Sequence, residues 1–179
     1  MKLLKLTVLP FLLSASLIYL SSCEPDAEQK KTTDFEKKGI LLTGAQENPA
    51  VTTSGIGKMD VYYTKETRTL TYSVTWSGLI DSVTAMHIHG LGPKGYNAGV
   101  VQHIISGVGS STGTNSSQFS AQLVANGPYR FSKSGKIAGT FQIDGVVVKE
   151  QDLLNGMYYM NIHTKAFGGG EIRGQIVFQ

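Results

Sequence analysis

The chain has 179 residues, of which 41% are hydrophobic, and its 16 basic and 13 acidic side chains give a formal net charge of +3. No cluster of lysine and arginine is interleaved with aromatic residues, which argues against nucleic acid as a partner. The single cysteine excludes an intramolecular disulfide and a metal site built from several thiolates.

The first residues of the chain have the order of a secretory signal. A basic start with Lys2 and Lys5 precedes the apolar run LTVLPFLLSASLIYL, which Pro10 interrupts and which is short for a membrane span. The sequence LSSC that follows resembles a bacterial lipobox, whose cysteine becomes the lipidated first residue of the mature protein. We therefore predict a lipoprotein signal peptide over 1–22 and lipidation of Cys23. The protein would be anchored in the cell envelope, at the outer membrane, facing the periplasm or the cell surface.

Residues 23–38 are predicted to form a flexible tether between the lipid and the folded domain. The sequence EPDAEQKKTTDFEKK after the cysteine is charged, poor in apolar residues and without periodicity. Its first acids, Glu24, Asp26 and Glu28, resemble the surface-export signals of some Bacteroidetes lipoproteins. Cleavage before the cysteine would remove two basic residues and no acidic one, which leaves a net charge of +1.

Strand patterns dominate the remaining residues, 39–179, which we predict to form one domain. In TLTYSVTWSG, Leu70, Tyr72, Val74 and Trp76 alternate with polar residues, and this period of two is typical of a half-buried strand. The preceding KMDVYYTKE has the same composition, and TKETR between the two runs predicts a hairpin turn. Nine strands are predicted in all, at 40–45, 58–66, 69–78, 82–89, 99–105, 117–124, 136–143, 157–163 and 171–178.

One segment alone has a helical pattern. In VVKEQDLLNG, acids and leucines recur at turn spacing and Asn155-Gly156 provides a C-cap, so we predict one short helix near 147–155. Many short strands without alternating helices predict an all-β fold, an antiparallel sandwich or barrel.

Two of the predicted strands place histidines on a polar face. In TAMHIHG, His87 and His89 share one face, and Met86 and Ile88 share the other, which we expect to pack in the core. In YYMNIHT, His163 again lies opposite the apolar residues of its strand. If the two strands are neighbours in a sheet or meet at its edge, the three imidazoles converge outside the core.

Four motifs resemble those of CHRD domains, a family first named from chordin and widespread in bacterial secreted proteins. The family pattern is G-x-x-E-x-P, then H-I-H-G, then L-x-x-G-x-x-Y-x-N-x-H-T, and finally G-E-I-R-G-Q. The chain matches it in LTGAQENPAV, AMHIHG, LLNGMYYMNIHT and GGEIRGQIV, in this order and at about the family's spacing. The matching residues are Gly44, Glu47, Pro49, His87, His89, Gly90, Leu153, Gly156, Tyr159, Asn161, His163, Thr164, Gly170, Glu171, Arg173, Gly174 and Gln175.

The resemblance covers nearly the whole predicted domain, with one departure: KAFGGG stands where the family commonly has a proline before G-E-I-R. No enzymatic activity is generally established for these domains, so the resemblance implies a non-enzymatic binding or structural module with an unidentified protein or ligand partner. Chordin binds extracellular signalling ligands, a role that does not carry over to a bacterial lipoprotein.

The H-x-H strand with a third histidine on a later strand also resembles the copper half of Cu/Zn superoxide dismutases. A sandwich of the immunoglobulin or superoxide dismutase type is therefore the expected form of the fold. The bridging histidine, the zinc aspartate and the cysteine pair of that family are missing here, so no dismutase activity is expected. The alternative function is metal binding or redox chemistry, with Cu or Zn held by His87, His89 and His163.

A structural hydrogen-bond network is the other interpretation of these polar residues, because a satisfied histidine needs no metal. The predicted members of the network are Glu47, Asn161, Thr164, Glu171 and Arg173. In the metal interpretation each ring needs an outer hydrogen-bond partner, for which Glu47, Asn161, Glu171 and Tyr159 are the candidates.

Three smaller expectations complete the predicted site. A salt bridge between Arg173 and Glu47 is expected to tie the last strand to the first. His103 shares the parity of Val101 and Ile105, so we predict that it is partly buried and outside any metal site. The mature domain has no cysteine and no G-x-S-x-G motif, and no catalytic residue is assigned.

Overall fold

The computed structural model describes residues 34–105 and 132–179. These residues form eight strands, a short 3-10 turn and one α-helix. The strands are β1 (Phe35–Thr43), β2 (Ile56–Thr64), β3 (Thr69–Ser77), β4 (Val83–Gly90), β5 (Val100–Ile105), β6 (Gly135–Gln142), β7 (Tyr158–Thr164) and β8 (Ile172–Gln175). The turn is Gly44–Gln46 and the helix α1 is Glu150–Leu154.

All eight strands belong to one antiparallel sheet with the order β5-β4-β7-β8-β1-β2-β3-β6. The sheet curls into a nearly closed barrel, and its two edge strands approach each other at Gln102 of β5 and Thr140 of β6. The Gln102 side-chain Nε2 donates to the Thr140 carbonyl at 2.8 Å. The predicted all-β, antiparallel fold is therefore confirmed, in the form of a barrel-like sheet.

Alternation along the strands separates the interior of the barrel from its outer surface. Leu70, Tyr72, Val74 and Trp76 of β3 are between 0% and 3% exposed, whereas the threonines and serine between them face solvent. The period of two seen in the sequence thus fixes which face of β3 is buried.

The helix is shorter than its sequence pattern suggests, because the residues before it form a separate turn. The Asp144 carboxylate accepts the N–H groups of Val146, Val147 and Val148 at 2.8–2.9 Å, which folds this segment back on itself. After the helix, Gly156 has φ 69°, the left-handed conformation that glycine adopts at a helix C-terminus.

The first strand begins earlier than expected. β1 starts at Phe35 and pairs with Tyr63 of β2, so the last residues of the segment predicted as a tether belong to the sheet. The predicted strand at 117–124, the predicted signal peptide and Cys23 lie outside the described residues. In the part of the chain that is described, no helix has the length and apolar character needed to cross a membrane.

Candidate metal centre

The three histidines lie on the outer surface of the barrel, on strands β4 and β7. These strands are neighbours, and their register pairs His87 with Asn161 and His89 with Tyr159, while His163 pairs with Ala85. The opposite faces of the same strands point into the core. The expected convergence of the histidines on one polar face therefore follows directly from the β4–β7 pairing.

The histidines are close enough to share a metal ion if their rings move toward one another. One ring nitrogen from each of His87, His89 and His163 lies within 4.8 Å of the others. Ligand atoms bonded at ~2.0–2.1 Å to one ion in tetrahedral geometry are about 3.4 Å apart, so the widest pair must close by roughly 1.4 Å.

Backbone carbonyls orient two of the rings. His89 Nδ1 donates to the carbonyl of Ala98 at 2.9 Å, and His163 Nδ1 donates to the carbonyl of Gly168 at 2.9 Å. A carbonyl only accepts, so both hydrogens are on Nδ1 and the Nε2 atoms of the neutral rings carry lone pairs. This is the arrangement in which metal-binding histidines are commonly held.

Two of the three rings are buried and the third is half-buried, because the segments 91–99 and 165–170 cover the polar face. Burial first, and then the neighbouring His163, His103 and His89, together lower the pKa of His87 to about 3. Burial also lowers the pKa of His89 and of His163. The three imidazoles are consequently neutral at pH 7, which is the form that binds metal.

One short contact at the site joins two hydrogen-bond acceptors, so it requires either a cation or a rotated side chain that supplies a donor. His89 Nε2 and Asn161 Oδ1 are 3.0 Å apart, and both carry lone pairs when His89 is neutral. A metal ion between them removes the repulsion, and so does a 180° turn of the Asn161 amide, which presents its N–H₂ to the ring. The second contact has no such conflict, since His87 Nδ1 can donate to His163 Nε2 at 3.1 Å.

The exposure of His103 differs from the prediction made from the sequence. The residue is exposed, it pairs with His87 across β4 and β5, and the two ring centroids are 4.8 Å apart. The buried residues of β5 are instead Gln102, Ile104 and Ile105, so the prediction of a partly buried His103 is wrong. The polar Gln102 concealed the strand's true parity, because a buried glutamine breaks the apolar alternation on which the prediction depended.

Arg173 does not form the direct salt bridge that was predicted for it. Its guanidinium donates to the carbonyl of Tyr96 at 2.9 Å, to Gln175 Oε1 at 3.2 Å and to Asn97 Oδ1 at 3.3 Å. Within the described residues, ion pairs join Lys38 to Glu36 and Lys65 to Glu150, and none joins Arg173 to an acid. Oxygens of the segment 91–99 and of Gln175 thus accept the hydrogen bonds that the Glu47 carboxylate was expected to accept.

A stack of planar side chains connects Arg173 to the histidine cluster. The Arg173 Cζ atom lies 3.4 Å from the centroid of the Tyr159 ring. The Tyr159 ring is parallel to the His89 ring, with 4.8 Å between centroids. Tyr159 therefore contacts His89 through its ring face, whereas Asn161 contacts the same histidine through an edge.

Glu47 is a buried carboxyl group beside this cluster. Its Oε1 has no hydrogen-bond partner among the described residues. Burial raises the pKa of Glu47 to about 7, against the opposing effects of Arg173 and the Asn161 amide. The carboxyl group does not bond to any of the three histidines in the described structure, so it is a neighbour of the candidate site.

Glu171 belongs to a separate network at the other end of the polar face. Its carboxylate accepts from Thr164 Oγ1 and from Thr53 Oγ1, each at 2.6 Å, and from the N–H of Ile80 at 2.8 Å. Glu171 is fully buried, so these three donors hold the surrounding segments together. The polar residues predicted as one network are therefore divided, with Thr164 and Glu171 on one side and Glu47, Asn161 and Arg173 on the other.

Comparison with protein families identifies the domain. A family model of the CHRD domain matches residues 39–176, which is 138 of the 179 residues. Comparisons with the curated proteins and with the solved structures find no match. The matched family describes β-rich binding modules of the extracellular type, in agreement with the antiparallel barrel. This chain belongs to the CHRD domain family.

Proposed function

We propose that this protein is a lipid-anchored binding module of the cell envelope that holds a copper or zinc ion through His87, His89 and His163. The observation that carries this proposal is the convergence of three ring nitrogens within 4.8 Å. The anchor is supported by the sequence alone, through the basic and apolar start of the chain and Cys23.

The donor set favours copper or zinc over calcium and magnesium. Imidazole nitrogen suits Cu and Zn, whereas Mg²⁺ and Ca²⁺ prefer oxygen ligands. Three histidines leave one coordination position open, as in sites that exchange a ligand. No residue is assigned a catalytic role, so the proposed activity is binding.

A metal-free structural role is the second candidate. It is favoured by the 3.1 Å contact between His87 and His163, in which each ring nitrogen already has a partner. In that case the polar face stabilises the pairing of β4 with β7, and the protein binds its partner elsewhere.

Metal analysis separates the two candidates. We expect the mature protein, purified without a histidine tag, to hold one Cu or Zn per chain, and the His87→Ala/His89→Ala variant to hold none. Saturation at a hundredfold excess over Kd should also stabilise the wild-type protein by ~2.7 kcal/mol. The measurements are elemental analysis and thermal unfolding with and without added metal.

His103→Ala is the matched control, because this histidine is exposed and contacts only the edge of the cluster through His87. It should keep the metal and the metal-dependent stabilisation. Equal metal content in the wild-type protein and the double variant, both folded by circular dichroism, would exclude metal binding at these histidines.

A further inference from the structure

We propose that the end of the barrel at which β1 begins rests on the lipid bilayer and inserts Val146 and Val147 into it. We call these two residues the valine tip. The inference goes beyond metal binding and rests on the other half of the proposed function, attachment through a lipid at Cys23.

The valine tip is apolar, exposed and held in place. Val146 is 77% exposed and Val147 is 66% exposed, although both lie beside the fully buried Val148. The Asp144 carboxylate accepts three consecutive N–H groups of this segment, and the N–H of Gly145 donates to the Val148 carbonyl at 2.9 Å. A turn fixed in this way loses little conformational entropy when it inserts.

The valine tip lies at the same end of the barrel as the beginning of the domain. Phe35, at the start of β1, pairs with Tyr63, whose hydroxyl donates to Glu150 Oε2 of helix α1 at 2.8 Å. The N–H of Ile143 donates to the carbonyl of Arg68, in the turn between β2 and β3, at 2.8 Å. The segment 143–149 and the N-terminal end of the domain therefore share one end of the barrel.

The distance from the predicted lipid is short. The eleven residue steps from Cys23 to Asp34 span at most about 40 Å when fully extended. A lipid at Cys23 thus keeps the N-terminal end of the barrel near the bilayer at high effective concentration, so weak contacts are enough to orient it. The opposite end is roughly 30 Å farther along, the length of the nine residues of β3.

Two basic side chains lie beside the valine tip. Lys149 is exposed two residues after Val147, and Arg68 Nη1 lies 3.2 Å from the position that a Cβ atom would take at Gly145. Among the acids beside the tip, Asp144 already accepts three backbone N–H groups, and Glu150 pairs with Lys65 at 3.0 Å. Glu66 is exposed in the same turn as Arg68. Exposed valines beside cations suit an interfacial contact, in which the apolar side chains enter the bilayer and the cations meet anionic headgroups.

Tryptophan quenching by brominated phospholipids tests the orientation. The chain has one tryptophan, Trp76, which is buried, so an added tryptophan can be followed against a constant background. Val147→Trp places the probe in the valine tip. Ile80→Trp is the matched control, since Ile80 is another exposed apolar residue but follows β3 at the opposite end.

The mature chain is attached to vesicles of phosphatidylethanolamine and phosphatidylglycerol through Cys23, by its own lipid or, if the cell leaves the thiol free, by a maleimide lipid. We expect bromine to quench the Val147→Trp emission at least twofold more than the Ile80→Trp emission. Equal quenching overturns the proposal, and so does a blue shift of Val147→Trp without bromine quenching, which would mean that a second copy or another protein covers the tip. Mass spectrometry of Cys23 tests the natural anchor separately.

Discussion

Glu47 shows how the polar face accommodates a carboxyl group without a salt bridge. Arg173 is the cation whose charge acts on Glu47, but its guanidinium donates to Tyr96, Asn97 and Gln175. Glu47 is buried with one unpaired oxygen, and burial raises its pKa to about 7. The protonated form is therefore the one that the folded protein favours at moderately acid pH.

This raised pKa predicts how stability depends on pH. Glu47 binds its proton more tightly in the folded protein, at about 7, than in the unfolded chain, at about 4.5. Its contribution to stability is complete below the unfolded value and is lost as pH rises through the folded value. Glu47→Gln removes this loss. The free energy of unfolding of the variant, relative to that of the wild type, should therefore rise by about 3 kcal/mol between pH 4 and pH 8.

Urea unfolding of both proteins at several pH values measures this difference. The lowered pKa values of His87, His89 and His163 give the opposite slope, because these rings lose stability as pH falls. That slope is present in both proteins and cancels in the comparison. A difference that stays constant from pH 4 to pH 8 would show that Glu47 ionises normally.

At the residue scale, the sequence predicted correctly that the three histidines lie opposite the apolar faces of their strands, because residues i and i+2 of a strand share a face. It could not predict their partners Ala98 and Gly168, since backbone carbonyls carry no side-chain pattern. The same limit explains Arg173, whose strongest contact is the carbonyl of Tyr96.

At the scale of elements, the pairing of β3 with β6 is shaped by one glycine. Tyr72 and Gly139 lie opposite each other and both point into the barrel. A Cβ atom at Gly139 would be 2.5 Å from Tyr72 Oη and 2.7 Å from Tyr72 Cζ. The glycine therefore provides the space in which the tyrosine ring lies.

Gly139→Ala should overpack this contact and lower the free energy of unfolding by about 1–3 kcal/mol. Tyr72→Phe should be nearly neutral alone, since the Tyr72 hydroxyl has no hydrogen-bond partner among the described residues. The double variant should recover more than about 0.5 kcal/mol of the loss, because the two changes act on one contact. Denaturant unfolding of the three variants measures the coupling, and strictly additive effects would contradict it.

The sequence predicts which residues of a strand are buried when one face is uniformly apolar. It does not do so when a buried polar residue interrupts that face. The sequence predicted β3 correctly for the first reason. It misassigned β5 for the second, because Gln102 is buried and His103 is exposed. Element ends were also uncertain, as the early start of β1 at Phe35 shows, because charged residues can pair in a sheet as long as they face solvent.

At the scale of the whole molecule, the order of strands joins residues that are far apart in the sequence. Thr43 of β1 pairs with Arg173 of β8, which places the last strand between β1 and β7. No local pattern specifies such a pair, so the sequence predicted the fold class but not the strand order that brings the histidines together. The same order leaves β5 and β6 as the two edges, where Gln102 bonds to Thr140 across the gap.

Gln102→Met should loosen this seam, because methionine fills a similar volume but cannot donate to the Thr140 carbonyl. We expect the free energy of unfolding to fall by about 1 kcal/mol, the usual value of one hydrogen bond. Amide exchange should accelerate more in β5 and β6 than in β1 and β2, since only the edges lose a restraint. Gln142→Met is the matched control, because Gln142 lies on β6 and also donates to a carbonyl. It is exposed, however, and its acceptor is Thr67, at 3.1 Å, in the turn before β3 and not in β5. If both variants accelerate exchange equally across all the strands, or neither does, the Gln102 bond does not hold the barrel closed. Faster exchange confined to β5 and β6 would show that the buried Gln102 side chain holds the two edge strands together, as backbone pairing holds the other neighbouring strands.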